Sequence, residues 1–371
     1  MGNGTRLFCV IVGIALLGGC VSQKPSVEGL EPVPGKNLDL RGFNLGAWDK
    51  LGLSARNPVN EAISFAAKEG ASFLAIDWRV YFADDGGLAG SWDKDVPQEN
   101  DLIAAIAKAK EAGMYVLLKP HVAGPSGGNR NNMDSDPRTF RASNFFRDWG
   151  AYLVSLAKSM EGQRADAICI GTELSFLDGA SSREWHDLIA SIRAVYPGEL
   201  TYDAVFSVWD KWNFMKDVVF WDALDYVGCS VYLPVTADDS ASVEQIKEGW
   251  RSNRIGDTPD IPSRLQAMGR RVGKKVMVLE AGYPSRSGGL LNPSDPPSRD
   301  SAVDNDLQAR GLAAMLEVLY GNGGTWLKGI SLWDLTPGLM GPDTVSDIWR
   351  TQGWSVYGKP AAQVVKGYFS R

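Results

Sequence analysis

Ala167-Ile168-Cys169-Ile170-Gly171-Thr172-Glu173-Leu174-Ser175 is a short apolar run that ends on a carboxylate. The same construction returns at Lys275-Val276-Met277-Val278-Leu279-Glu280-Ala281-Gly282-Tyr283-Pro284-Ser285. Runs this short and continuous, closed by Gly, Ser or Pro, read as strands buried on both faces. A glutamate where such a strand surfaces has left bulk water, so burial and neighbours set its ionisation. Two carboxylates delivered by different strands are the equipment for breaking a glycosidic bond: one proton donor, and one nucleophile or base.

Outward from these runs, the chain alternates strand-like and helix-like segments from residue 38 onward. The strand candidates are Leu38–Asn44, Ser72–Trp78, Tyr115–Lys119, Ala167–Thr172, Leu200–Asp203, Tyr226–Tyr232, Lys275–Glu280 and Gly329–Trp333. Helical spacing falls between them at Glu99–Ala112, Phe140–Lys158, Ser182–Val195 and Asn305–Leu319, with Gly113 placed to close the first of these. Eight βα units predict an α/β fold, a single-domain (β/α)8 TIM barrel, with its chemistry at the C-terminal ends of the strands. Long Gly-, Pro- and Ser-rich connections follow strand three (Gly124–Asn132), strand seven (Ser285–Arg299) and strand eight (Thr336–Gly358). On the catalytic face of a barrel, connections of that kind build substrate walls.

Polar and aromatic residues recur where the apolar strands end. Strand one offers Asn44, with Trp48 beyond it; strand two offers Asp77, Trp78 and Arg79; strand three offers Lys119 and His121. Strand four gives Glu173, strand five Tyr202 and Asp203, strand six Tyr232, strand seven Glu280, and strand eight Trp333 and Asp334.

Composition removes several classes. The chain has 371 residues, 44% hydrophobic and 22% charged, as a globular domain does. A net charge of −6 argues against nucleic acid as a partner. Thirteen tryptophans suit stacking on sugar rings, although a barrel core also consumes aromatics. The two histidines, His121 and His186, have no ligand-like spacing, so no metal site is predicted. No glycine fingerprint for phosphate precedes a helix, and no cofactor is expected. Cys169 and Cys229 lie in apolar runs and suit small buried hydrophobes, a disulfide between them being the other reading.

The N-terminus reads as a targeting segment. Arg6 precedes the apolar stretch Leu7 to Leu17, which is too short to span a bilayer comfortably. Leu17-Gly18-Gly19-Cys20 resembles a bacterial lipobox. Residues 1–19 are therefore expected to be a lipoprotein signal, 20–37 a lipidated start and tether, and 38–371 the barrel. Val21 after the cysteine suggests the outer membrane, whose lipid leaflet would hold the acylated Cys20.

From residue 38 to the C-terminus the chain resembles clan A glycoside hydrolases, most closely family 113, which includes β-mannanases. The resemblance rests on Ile170-Gly171-Thr172-Glu173-Leu174, Glu280-Ala281-Gly282-Tyr283-Pro284-Ser285 and Gly329-Ile330-Ser331-Leu332-Trp333-Asp334, supported by Ala223 to Gly228 and Tyr357 to Ala361. It implies that Glu173 is the acid/base and Glu280 the nucleophile of a retaining β-glycosidase acting on a β-linked glycan. Trp333 would then stack beneath the sugar, and Tyr232 and Arg79 would support an ionised Glu280. Substrate contacts are expected from His121, Lys119, Asp77, Trp78, Asn44 and Asp203. Most of the clan carries Asn before the acid/base, where this chain has Thr172, so the 2-hydroxyl contact and the manno or gluco preference stay open. Transglycosylation, and sugar binding by a non-catalytic barrel lipoprotein, are the alternative functions.

Overall fold

The structure, a computed structural model, describes residues 38–47, 52–54, 56–89, 97–124, 140–159, 165–179, 182–206, 217–253, 258–322, 326–339 and 347–370. The lipobox with Cys20, the tether, Trp48, nearly all of the loop after strand three, and part of the loop after strand eight lie outside them.

Eight parallel strands close into a barrel: β1 (Leu40–Gly46), β2 (Phe73–Tyr81), β3 (Tyr115–Ala123), β4 (Ala167–Thr172), β5 (Glu199–Val205), β6 (Val227–Val231), β7 (Val276–Ala281) and β8 (Leu327–Leu332). Each pairs with its sequence neighbour, and β1 closes the ring on β8 with Phe43 opposite Leu332. The chain is a single-domain TIM barrel. Outside it pack α1 (Arg56–Lys68), α2 (Glu99–Glu111), α3 (Ala142–Ser159), α4 (Ser182–Arg193), α5 (Val243–Arg251), α6 (Ile261–Val272), α7 (Asn305–Asn322), α8 (Asp347–Gln352) and α9 (Ala361–Phe369). Helix α2 buries Leu102, Ala105, Ile106 and Ala109, one face at helical spacing, and Gly113 follows its end at φ 78° as the sequence predicts. Among the described residues no helix is long and apolar enough to cross a membrane.

All eight expected strands are present, and all but β4 have shifted ends. The largest shift is in β3, expected over Tyr115–Lys119 and so ending just before Pro120, which has no N–H to give a ladder. It continues to Ala123 because its pairing with β2 persists, Trp78 opposite Pro120 and Arg79 opposite His121, while its pairing with β4 covers only Leu117 and Leu118. Pro120 therefore sits where one edge of the strand is already unladdered, and His121 is carried on a strand rather than a loop.

Inside the barrel Phe73, Ala75, Leu117, Ala167, Cys169, Tyr226, Met277 and Leu279 form a dry layer. Below it, Glu199 accepts from Tyr115 and from Lys328, whose ammonium lies 4.8 Å from the Tyr226 ring centroid. The polar residues of the opposite end sit above this plug. Period-2 alternation puts Asp77 and Arg79 on the same face of β2 as Phe73 and Ala75.

Candidate active site

Both strand-end glutamates follow an extra residue in the ladder. Between β4 and β5, Cys169 pairs with Thr201 but Thr172 with Asp203; between β6 and β7, Cys229 pairs with Val278 but Ser230 with Glu280. A bulge breaks strict alternation and re-aims the next side chain. In β7 it lets Leu279 join the interior layer while Glu280, its immediate neighbour, also turns inward. In β4 it leads into Glu173, whose φ of 52° lies in the left-handed region although it is not a glycine. That left-handed conformation is costly for a side chain with a Cβ. Two bonds hold it: Glu173 N–H donates to Asp203 O at 2.7 Å, and Leu174 N–H donates to the Tyr202 hydroxyl at 2.8 Å. Tyr202 in turn donates to buried Asp178.

Lys119 is the hub of the site. It is fully buried, with its ammonium bonded to Glu280 Oε1, 3.0 Å from Asp203 Oδ2, 3.6 Å from Asp77 Oδ1 and 3.3 Å from Asn44 Oδ1. Asn44 is fixed by donating to Leu279 O and Ser331 Oγ, each at 2.9 Å. Ser230 donates to Asp203 Oδ1 at 3.0 Å, and His121 Nε2 lies 3.1 Å from Asp77 Oδ1 and 3.8 Å from Glu280 Oε1. Tyr232, just past β6, donates to Glu280 Oε2 at 3.2 Å. Half-buried Trp333 follows β8, its ring centroid 6.2 Å from that of His121 and 5.8 Å from the Lys119 ammonium.

Burial dominates the electrostatics. It pulls Lys119 down, but Glu280, Asp203 and Asp77 outweigh it and hold the ammonium well above the ordinary lysine range. Burial lifts Glu280 to about 8; Lys119 opposes the rise, while Asp203 and Glu173 add to it. It also lifts Asp77 to about 7 and raises Asp203. One cation cannot neutralise three buried carboxylates, so the cluster shares protons as a unit. Asp77, whose Oδ2 has no hydrogen-bond partner, is the better place for a proton; Glu280, served by Lys119 and Tyr232, is the better place for the charge.

The structure thus gathers Asn44, Asp77, Lys119, His121, Asp203, Tyr232, Glu280 and Trp333 into one cluster, with Glu173 acting on Glu280 through space. Arg79 stands beside His121 in the strand register. Trp78 is a correction. It is fully buried on the opposite face of β2 from Asp77, and its indole N–H donates to Tyr152 of α3 at 2.8 Å. It therefore packs the barrel against its helices and takes no part in the cluster. Thr172 is fully buried with Oγ1 3.8 Å from Cys169 Sγ, and Cys169 and Cys229 are both free. Ser230 and Ser331, which orient Asp203 and Asn44, escape the sequence reading, although each lies two residues before a named residue and so shares its face.

The model of glycoside hydrolase family 113 matches residues 52–359. The chain belongs to glycoside hydrolase family 113. It is a glycoside hydrolase, and its substrate class is a glycan. A GH113 β-1,4-mannanase shares 24% identity at a TM-score of 0.71, over 91% of this chain and all of that one. The GH113 β-mannanase of Alicyclobacillus acidocaldarius, in complex with ManMIm, shares 22% at 0.71 over 90% of this chain and 97% of its own. The endo-β-1,4-mannanase of Thermotoga petrophila shares 15% at 0.58, over 90% and 77%. At these identities the structural likeness speaks for the barrel alone.

Proposed function

We propose that this family 113 chain is a retaining β-glycosidase that cleaves a β-linked glycan of the mannan type. The observation that carries the mechanism is Glu280, held between the Lys119 ammonium and the Tyr232 hydroxyl at the end of a buried strand. Glu280 attacks the anomeric carbon as Glu173 gives its proton to the departing glycosidic oxygen. The ester so formed breaks when Glu173 takes a proton from water and that water's oxygen attacks the same carbon. Lys119 and Tyr232 keep Glu280 a competent anion before attack and stabilise it again as leaving group. Trp333 gives the sugar a flat apolar floor beside His121. The mannan assignment is supported by the β-mannanases among the chain's relatives.

The test is an assay of wild type and Glu280→Ala against β-mannan, β-glucan and envelope polysaccharide. Wild type should release reducing ends from β-mannan and the variant should not; equal activity in both proteins contradicts the assignment of Glu280. The lipobox supports a second part of the reading, an enzyme anchored in the outer membrane through acylated Cys20. Cys20→Ser should move the protein from the membrane to the soluble fraction, and unchanged fractionation rejects the anchor.

A further inference from the structure

The connection from β7 to α7 holds a feature the mechanism does not use. Arg286, six residues beyond Glu280, is only 5% exposed, and no carboxylate among the described residues pairs with it. Its guanidinium makes three long bonds to backbone carbonyls, at 3.2 Å to Ser287 O, 3.3 Å to Asn292 O and 3.4 Å to Asp295 O, and its Nε has no partner. A buried cation satisfied this thinly is costly unless an anion completes it. It lines an open cleft of about 660 Å³ with a second guanidinium, the exposed Arg299. Pro296, Pro297 and Ile348 supply stiff apolar wall, and the carboxylate in the lining, exposed Asp295, makes no ion pair with Arg286. The volume is within the range of roughly 300–1,000 Å³ typical of ligand sites.

The loop that carries Arg286 is tied to the strand end beside the active site. Trp354 packs over Gly282, where an added Cβ would lie 3.3 Å from its ring and 2.7 Å from Trp333 O, and its indole N–H donates to Pro293 O at 2.8 Å. Packing through Gly282 and Trp354 therefore links Trp333 to the loop that carries Arg286.

We propose that this cleft binds the carboxylate of an acidic sugar carried by the glycan substrate, with Arg286 and Arg299 as its cationic walls. Guanidinium groups match a planar carboxylate by paired hydrogen bonds, and the apolar wall suits the C–H face of a sugar ring. The proposal rests on the glycosidase reading for the source of the carboxylate, so the test measures binding apart from turnover.

Full-length Glu280→Ala protein, which should not consume substrate, is titrated with three probes: a neutral β-manno-oligosaccharide, the same oligosaccharide bearing a glucuronate branch, and free glucuronate. The branched probe should bind about tenfold or more tighter than the neutral one, as a charge-assisted bond is worth. Arg299→Ala and Arg286→Met, each added to that protein, should erase the difference and leave neutral binding unchanged; the exposed Arg299 keeps the test valid if the Arg286 variant misfolds. Equal affinity for the two oligosaccharides, with no binding of glucuronate, overturns the proposal. Arginine-dependent glucuronate binding with no gain for the branched probe overturns the assignment to substrate and leaves a site for a free carboxylate. If neither oligosaccharide binds, the glycan reading has failed, and the glucuronate arm alone decides whether the carboxylate site exists.

Discussion

Lys119→Met keeps the length of a fully buried stem and deletes its charge. The ammonium bonds Glu280 and lies 3.0 Å from Asp203 and 3.6 Å from Asp77. At an effective dielectric of about 20, the longest of these separations, 3.6 Å, corresponds to about 332/(20 × 3.6), or about 5 kcal/mol. Glu280 stands nearer, so its ionised form loses at least about that much, equivalent to about 3 units of ionisation at 1.36 kcal/mol each. Asp77 and Asp203, deprived of their cation, take up protons and relieve part of the loss, leaving a net rise of about 2 units. The assay is kcat/KM against pH on a manno-oligosaccharide. In wild type the acid limb should already sit above the ordinary carboxylate range, because burial raises all three carboxyls that share the cluster's protons. In the variant it should move up further, with a loss of about 100-fold or more at pH 7. Stability should follow the same sign. Carboxyls raised in the folded state hold protons that the unfolded chain releases, so the variant should lose stability faster than wild type as pH rises from 5 to 8. An unchanged acid limb with activity within a few-fold of wild type would refute the role given to Lys119.

Two further predictions probe the surroundings of the glutamates. Glu173→Ala should lose about 100-fold or more on a natural glycan but far less on an aryl β-mannoside whose leaving group needs no proton; equal losses on both would remove Glu173 from the acid/base role. Asp178, lifted to about 7 chiefly by burial, contributes stability that is full below about pH 4 and lost as pH rises through 7. Asp178→Asn keeps an acceptor for Tyr202, so relative to wild type it should gain on the order of 2–4 kcal/mol between pH 4 and pH 8 in denaturant titrations, and parallel pH curves would rule the raised carboxyl out.

The barrel was legible because its strands are covered on both faces and read as unbroken apolar runs; Ala167–Thr172 coincides residue for residue with β4. The ends were harder. The apolar run ends at Lys119, but only pairing with β2 decides how far β3 runs. Helices α5 and α6 passed unread although Ser242 and Gln245 form a reciprocal capping box and Gly273 ends α6 at φ 70°. Trp78 was placed at the rim by its position in the run, when alternation from Asp77 already puts it on the outer face. The bulges before Glu173 and Glu280 carry no local signal, because they exist only as a count of residues against a neighbouring strand. The same holds for Lys119, a strand-end candidate whose weight comes from Glu280, 161 positions away in the chain.

Retention requires Glu280 to form a covalent bond to the sugar. A 2-deoxy-2-fluoro-β-mannosyl donor slows the breakdown of such an ester, so reaction followed by mass spectrometry of the intact protein and of its peptides tests for that bond directly. A single added fluorosugar should be located on Glu280 and absent from Glu280→Ala. An active enzyme that carries no label, or carries it on another residue, contradicts a bond to Glu280.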